Sequence, residues 1–260
     1  MFVVREVARD LSRRTLDHQR VVAGIVRLMD LAAIRIGNDV YAGQNGSFGL
    51  TTLRCRHANI LGERVQLDFA GKGGRRHEVE ICDRRVARVI RDCSELPGQI
   101  LFQYIADGGE IRRVRSHEVN DYLREVGRGA FTAKDFRTWT ASVLASRLLA
   151  EEPATESARA ATHHINAATA IVAQRLGNTP VNCKNSYVYP GVYEAFRDGS
   201  LARAWQRNAS RWTSLGREDE RIFLWVLRRK ASPGRLERRN RPRTAASRAS
   251  PTGAAQPRSR

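Results

Sequence analysis

Long apolar runs are missing from this sequence. No stretch of its 260 residues approaches the ~20 consecutive apolar residues of a membrane-spanning helix. The first residues, from Met1 to Val7, lack the apolar core of a secretion signal. Paired cysteine spacings typical of zinc sites or disulfide frameworks are also missing, and the four cysteines are Cys55, Cys82, Cys93 and Cys183. We therefore expect a reduced cytoplasmic protein without a structural metal.

Lysine is scarce as well. Of the 45 basic residues, 41 are arginine and only four are lysine, namely Lys72, Lys134, Lys184 and Lys230. Such a bias is typical of a GC-rich coding sequence. Arginine does not readily give up a proton near neutral pH, whereas lysine can. Each lysine that remains is therefore a candidate for proton transfer.

Positive charge is abundant, and it is spread over the whole chain. The formal net charge is +18, of which residues 228–260 carry +10 and residues 1–227 carry +8. Residues 231–260 consist largely of Pro, Ser, Arg and Ala, so we expect residues 228–260 to form a disordered basic tail. A basic folded domain over residues 1–227 points to a polyanionic partner such as nucleic acid, with an anionic membrane surface as the alternative.

The hydrophobic pattern predicts a fold that begins with one helix and a small sheet. Residues 1–16 show no clear apolar face, and a helix is predicted from Leu16 until Gly37 stops it. Residues 39–46 read as a polar loop. Three alternating stretches predict a small antiparallel sheet with Lys72 in its last hairpin turn; they are Thr51 to Cys55, Arg64 to Phe69 and His77 to Ile81.

The remainder of the chain is predicted to be helical. One of these helices begins with a capping box, in which Asp135 follows Thr132 at the required spacing. A long Ala-rich helix is expected to end at Gly177, and a short helix follows it after a loop. The predicted helices cover 84–94, 116–126, 132–148, 157–176, 182–186, 192–197, 201–207 and 218–229. The fold class is thus mainly α with a small antiparallel β-sheet.

Several polar residues fall at the ends and turns of these elements, where a site can form. Arg35 follows the first helix, Lys72 lies in the hairpin turn, and Arg137 lies near the start of a capped helix. Asn178 and Tyr187 flank the loop after the Ala-rich helix. A tyrosine hydroxyl can act as a covalent nucleophile when charge on the attacked group is stabilised. On that loop alone, the alternative is that Tyr187 and Tyr189 pack it onto the core.

Five segments in order along residues 20–200 resemble the motifs of type IB DNA topoisomerases, most closely the compact bacterial and poxvirus-like branch. These segments are 31–38, 47–54, 69–74, 131–139, and 176–180 taken together with 186–190. The resemblance implies the mainly helical catalytic domain shared with tyrosine recombinases. It also implies relaxation of supercoiled double-stranded DNA without ATP or an obligatory metal, by a monomer in the bacterial cytoplasm, associated with the nucleoid.

The same resemblance assigns a role to each candidate residue. Tyr187 would be the nucleophile, forming a 3′-phosphotyrosyl link and expelling a 5′-hydroxyl. Arg35 and Arg137 would stabilise the charge of the transition state, and Lys72 would protonate the leaving oxygen. Asn178 stands where many relatives have histidine, and its amide can donate a hydrogen bond but cannot transfer a proton.

Other residues are given lesser roles. Arg54 and Lys134 are predicted to contact DNA, Tyr189 to serve in packing, and the adjacent His163 and His164 to face solvent.

In two respects the sequence departs from the family pattern or leaves alternatives open. We expect the N-terminal clamp domain of compact topoisomerases to be missing before the catalytic segments, because the start lies upstream, because the chain is a truncated paralogue, or because it binds DNA without a clamp. Without a clamp, DNA binding should weaken most at high salt. The basic tail would compensate in part by tethering the domain to DNA. A tyrosine recombinase would usually carry a His-x-x-Arg signature before its final motif. Arg137 lies instead in the sequence Lys-Asp-Phe-Arg-Thr-Trp. A truncated, non-catalytic DNA-binding paralogue is the remaining alternative.

Overall fold

The computed structural model describes residues 2–153, 157–214 and 218–230, with sixteen regular elements. Their bounds are α1 Phe2–Asp10, α2 His18–Ala32, α3 Asp39–Asn45, β1 Ala58–Leu61, β2 Arg64–Ala70, β3 Arg76–Cys82, α4 Arg84–Ser94, β4 Gln103–Ile105, β5 Ile111–Arg113, α5 Ser116–Gly127, α6 Ala133–Glu151, α7 Ala158–Leu176, α8 Pro180–Ser186, α9 Pro190–Arg197, α10 Ser200–Ser214 and α11 Glu218–Lys230. The mainly helical fold class with small antiparallel sheets is confirmed. The predicted disordered tail over 231–260 lies outside the described residues.

The helices after the sheet form where the pattern predicts them. Helix α6 begins after Thr132, whose backbone N–H donates to the Asp135 carboxylate, as a capping box requires. The Thr132 hydroxyl donates to the same carboxylate. Helix α7 begins after Ser157 and ends at Gly177, which adopts the left-handed conformation with φ +61°. The loop that follows is short because Thr179 caps α8 and Pro180 opens it.

Three predictions about the first half of the chain are wrong. Residues 1–16 contain helix α1, whose Val7 is buried, with Leu11 buried just after it. Helix α2 ends earlier than predicted, since Ala33 rather than Gly37 adopts the left-handed stop with φ 51°. The predicted loop over 39–46 is helix α3, because the Asn38 side chain accepts from the first backbone N–H groups of that helix.

The sheet has the predicted size, but its first strand lies elsewhere. Strands β1, β2 and β3 pair antiparallel in chain order, with the turn that holds Lys72 joining the last two. The stretch from Thr51 to Cys55 forms parts of two short 3₁₀ turns because Thr52 bonds back to Gly49 instead of to a neighbouring strand. The two-stranded pair β4–β5 was not predicted, and three residues per strand are too few for a clear alternation.

Two hydrophobic cores lie on either side of the start of α6. The first packs α1, α2, α4 and α5 against the three-stranded sheet, and the second packs α6 to α11 against one another. Helix α6 spans both cores, since Ala133 is buried in the first and Ala141 in the second. In the described part of the chain, no helix is long and apolar enough to cross a membrane.

Candidate active site

A cleft of about 520 Å³ lies where the two cores meet. It is lined by residues from distant parts of the chain, including Arg35, Lys72, Lys134, Arg137 and Tyr187. Four of the five candidate catalytic residues therefore reach one cleft. The fifth, Asn178, is buried beside it and is held in contact with Arg35.

Arg137 lies at the junction between the two halves of the fold. It stands one turn into α6 and is only 4% exposed. Its guanidinium donates one hydrogen bond to the carbonyl of Ala33, just after α2. It donates another, of 2.8 Å, to the carbonyl of Leu176 at the end of α7. It also stands over the Tyr187 ring, 5.1 Å from the ring centroid. These contacts fix the guanidinium plane beside the phenol.

Arg35 is the second guanidinium of the cleft, and it is held by Asn178. The Arg35 guanidinium donates to the side-chain oxygen of Asn178 and, at 3.3 Å, to the carbonyl of Gly177. Burial, followed by the charge of Arg137, lowers the pKa of Arg35. Among the described residues, no carboxylate pairs with Arg35 or Arg137, so their positive charge remains available to an anion. The Asn178 side-chain nitrogen is buried and has no hydrogen-bond partner in that same part of the chain.

The Tyr187 side chain is half-buried in the cleft, directly after α8. Its backbone N–H donates to the carbonyl of Cys183, and the hydroxyl of Ser142 accepts from the backbone N–H of Tyr189 at 2.9 Å. Burial raises the pKa of the phenol, but hydrogen bonding and charge from Arg137, with the charges of Arg35 and Lys134, outweigh it. The pKa of Tyr187 therefore lies below its ordinary value, which favours the nucleophilic phenolate.

Lys72 approaches the cleft from the β2–β3 turn. Gly73 and Gly74 follow it with φ of +74° and +72°, a backbone conformation that glycine adopts without strain. The Lys72 side chain is exposed and lines the cleft together with Tyr187. The turn thus brings an amine to the cleft that holds the phenol, from the opposite half of the fold.

The sequence prediction missed two residues that follow this turn. Arg75 donates to the backbone carbonyl of Asn178 at 2.8 Å. The His77 ring stacks face to face on Phe69, with centroids 5.2 Å apart and planes 8° apart. Burial, followed by the charges of three arginines, lowers the pKa of His77. In the sequence both residues look like ordinary polar positions of a strand, and only long-range packing distinguishes them.

Comparison with known proteins gives the family. The model of the eukaryotic DNA topoisomerase I catalytic core matches residues 3–198. The chain belongs to the type IB DNA topoisomerase family. It is 32% identical over 201 residues to DNA topoisomerase 1B of Acanthamoeba polyphaga mimivirus, which covers 75% of this chain and 60% of that relative. It is 27% identical over 168 residues to DNA topoisomerase 1 of Mycosarcoma maydis, covering 56% of this chain and 16% of that protein.

The match confirms the predicted resemblance and the catalytic-domain fold of type IB topoisomerases. It favours this family over the tyrosine recombinases that were the nearest alternative. The chain spans about 60% of the length of the mimivirus relative. The family model that matches is that of the catalytic core.

Within the topoisomerase fold, the remaining predicted residues lie in different surroundings. Lys134 lines the cleft, whereas Arg54 is not among its lining residues and donates instead to Gln99 at 3.2 Å. Tyr189 packs on the second core, with its ring edge-on to Phe223 at 6.1 Å. This contact agrees with the packing role predicted for Tyr189.

The prediction that both adjacent histidines face solvent is wrong for one of them. His163 is exposed, but His164 is half-buried and its Nδ1 lies 2.7 Å from the Glu152 carboxylate. The reason is that α7 packs this face against the end of α6. Across the residues that the structure describes, no group of three or more His, Cys, Asp or Glu side chains is placed to hold a metal ion.

Proposed function

We propose that the chain relaxes supercoiled double-stranded DNA through a transient single-strand break in which Tyr187 is joined to a 3′-phosphate. The observation that carries this proposal is the convergence of two guanidinium groups, Arg35 and Arg137, on one phenol of lowered pKa, with no carboxylate partner for either arginine among the described residues. Such a pair of fixed cations beside a nucleophile suits attack on an anionic phosphodiester.

In the proposed reaction, Tyr187 first loses its phenol proton to solvent water. The phenolate oxygen then attacks the phosphorus atom, and the bond from phosphorus to the 5′-oxygen breaks. Arg137 and Arg35 donate to the non-bridging oxygens, where negative charge accumulates in the transition state. Lys72 gives a proton to the departing 5′-oxygen, which would otherwise leave as an unstable alkoxide. Asn178 donates its side-chain N–H to a phosphate oxygen. Religation is the reverse sequence, with the 5′-hydroxyl as the nucleophile.

The proposal needs neither ATP nor a metal ion. The energy of the cleaved phosphodiester is retained in the phosphotyrosyl bond, so that religation can proceed without a second energy source. The cationic side chains supply the charge stabilisation that a metal would supply in other phosphoryl-transfer sites. We further propose that the protein acts as a monomer in the cytoplasm of a bacterium, in association with its nucleoid DNA, and that Lys134 and Arg54 contribute to DNA binding.

The decisive experiment uses the purified chain and negatively supercoiled plasmid, with EDTA present and ATP absent. Relaxation and a protein–DNA adduct that survives denaturation are expected. Tyr187→Phe should lose both, because the nucleophilic oxygen is removed, whereas Tyr189→Phe should keep them as the matched control. Retention of the adduct by Tyr187→Phe would contradict the assignment. Binding of DNA without relaxation or adduct by the wild-type chain would support the non-catalytic alternative.

A further inference from the structure

The hairpin that carries Lys72 is attached to the connection that carries Asn178. Arg75 bonds to the Asn178 carbonyl from the end of the turn, and the backbone N–H of Gly71 donates to the Arg75 carbonyl at 2.7 Å, closing the same turn. The Lys72 turn and the α7–α8 connection come from opposite halves of the fold. The Arg75 contact therefore joins the turn that carries the amine to the other half of the fold.

The His77 ring fills the space between these two segments. A β-carbon added at Gly71 would lie 2.5 Å from His77 Cδ2, and one added at Gly177 would lie 2.6 Å from His77 Cε1. Both distances are far below any real carbon–carbon contact, so the ring sits directly against the two glycine backbones. Phe69 stacks on the ring and fixes its plane. The ring is thus wedged between the residue before Lys72 and the residue before Asn178.

The surroundings explain why a neutral planar ring suits this place. The charges that face His77 are the guanidinium groups of Arg35, Arg137 and Arg75, and together with burial they oppose its protonation. A protonated ring would be repelled by these three cations. A flat neutral ring fills the gap without adding charge.

We propose that His77 is a positioning residue that holds the Lys72 turn against the Gly177–Asn178 connection, so that Lys72 can protonate the leaving 5′-oxygen. The inference rests on the proposed function. His77 does not touch the reacting atoms but acts through Gly71, which directly precedes Lys72. Its removal should leave Tyr187, Arg35 and Arg137 in place but allow the Lys72 amine to move away from the leaving oxygen. A displacement of about 1 Å can lower a rate by about 100-fold.

The test compares two DNA substrates in single-turnover cleavage. One is ordinary duplex DNA, and in the other sulfur replaces the bridging 5′-oxygen, so that the leaving thiolate needs no proton. His77→Ala should cleave ordinary DNA about 10- to 100-fold more slowly than the wild type, and the sulfur-containing DNA at nearly the wild-type rate. Lys72→Ala should show the same rescue. His117→Ala, at an exposed histidine far along the chain, is the matched control.

Equal losses on both substrates would overturn the proposal, because they would indicate general damage to the site. Wild-type rates on both would overturn it as well. If His77→Ala fails to fold, His77→Gln removes the ring with less loss of volume and is read in the same way.

A second measurement does not depend on activity, so it distinguishes failure of the positioning role of His77 from failure of the proposed function. Hydrogen exchange of the amides in residues 71–75 should be faster in His77→Ala than in the wild type, while exchange in α4 stays unchanged. Unaltered exchange in the turn would overturn the positioning role even if the wild-type chain cleaved no DNA. Absence of an adduct from the wild type on both substrates would count against the proposed function itself.

Discussion

The two halves of the molecule differ in what they contribute to the cleft. The first half, from α1 to α5 with the three-stranded sheet, supplies the cations Arg35 and Lys72 from an extended segment and a turn. The second half, from α6 to α11, contains helices but no strand in its described residues, and it supplies Tyr187 to the cleft and Asn178 beside it, both just after the ends of helices. Neither half contains a complete site, so chemistry at Tyr187 depends on how the halves dock.

Docking is fixed by polar contacts at the junction as well as by apolar packing. Arg137 donates to a backbone carbonyl of each half, at Ala33 and at Leu176. Arg35 reaches across in the same way to Gly177 and Asn178. The residues proposed to stabilise the transition state are thus also the ones that join the halves. Substitutions at the junction test both roles at once.

The largest effect is expected from Arg137→Ala. Loss of one fixed donor to the transition state should lower the single-turnover cleavage rate by at least about 100-fold. Loss of the two carbonyl contacts should also lower the free energy of unfolding by about 1–3 kcal/mol. Cleavage is measured with an oligonucleotide duplex and stability by chemical denaturation.

Two further variants separate the roles of Arg137. Arg137→Lys keeps the charge but loses the planar fork, so we expect it to recover little of the rate. Arg88→Ala removes an exposed arginine of α4 and should change neither measurement. A full rate for Arg137→Lys would show that charge alone is enough at the junction.

A smaller effect is expected from Asn178→Ala. The variant removes one neutral donor to phosphate and the partner of Arg35, so cleavage should slow by about 10-fold. Asn182→Ala, at an exposed position on α8, is the control. A rate loss as large as that of Arg137→Ala would mean that Asn178 matters chiefly by holding Arg35 in place. An unchanged cleavage rate would mean that the contact of Asn178 with Arg35 serves only in packing.

The sequence predicted the second half of the molecule better than the first, for a physical reason. Helices α6 and α7 carry local signals, such as the Asp135 capping box and the Gly177 stop, that do not depend on distant residues. In the first half, the end of α2 at Ala33 and the strand β1 depend on tertiary packing, which overrides local propensity.

The candidate site follows the same division. The motifs of Arg35, Lys72, Arg137 and Tyr187 could be recognised along the chain, and the structure brings all four to one cleft. The contacts of Arg75 and His77 could not be predicted, because each joins residues about 100 positions apart. No periodicity or motif in a single sequence reports such a contact.

The smallest expected effect is a pH dependence of the junction. The native pKa of His77 is lowered by burial and by Arg35, Arg137 and Arg75, whereas the unfolded chain keeps the ordinary value near 6.5. Above that pH the His77 ring is neutral in both the folded and the unfolded state, so it does not make the free energy of unfolding depend on pH. As the pH falls below it, the unfolded state binds a proton first, so the free energy of unfolding decreases.

The free energy of unfolding is measured by chemical denaturation at about pH 7.5 and about pH 5.5, on either side of the ordinary histidine pKa. His77→Gln should lose less stability between these two values than the wild type, by less than about 1 kcal/mol, since solvent screens part of the charge around a half-buried ring. His57, whose pKa is lowered by burial and by Arg56 and Arg54, contributes in the same direction, so the slope should shrink rather than vanish. An unchanged slope in His77→Gln would place the pH sensitivity of stability away from the junction.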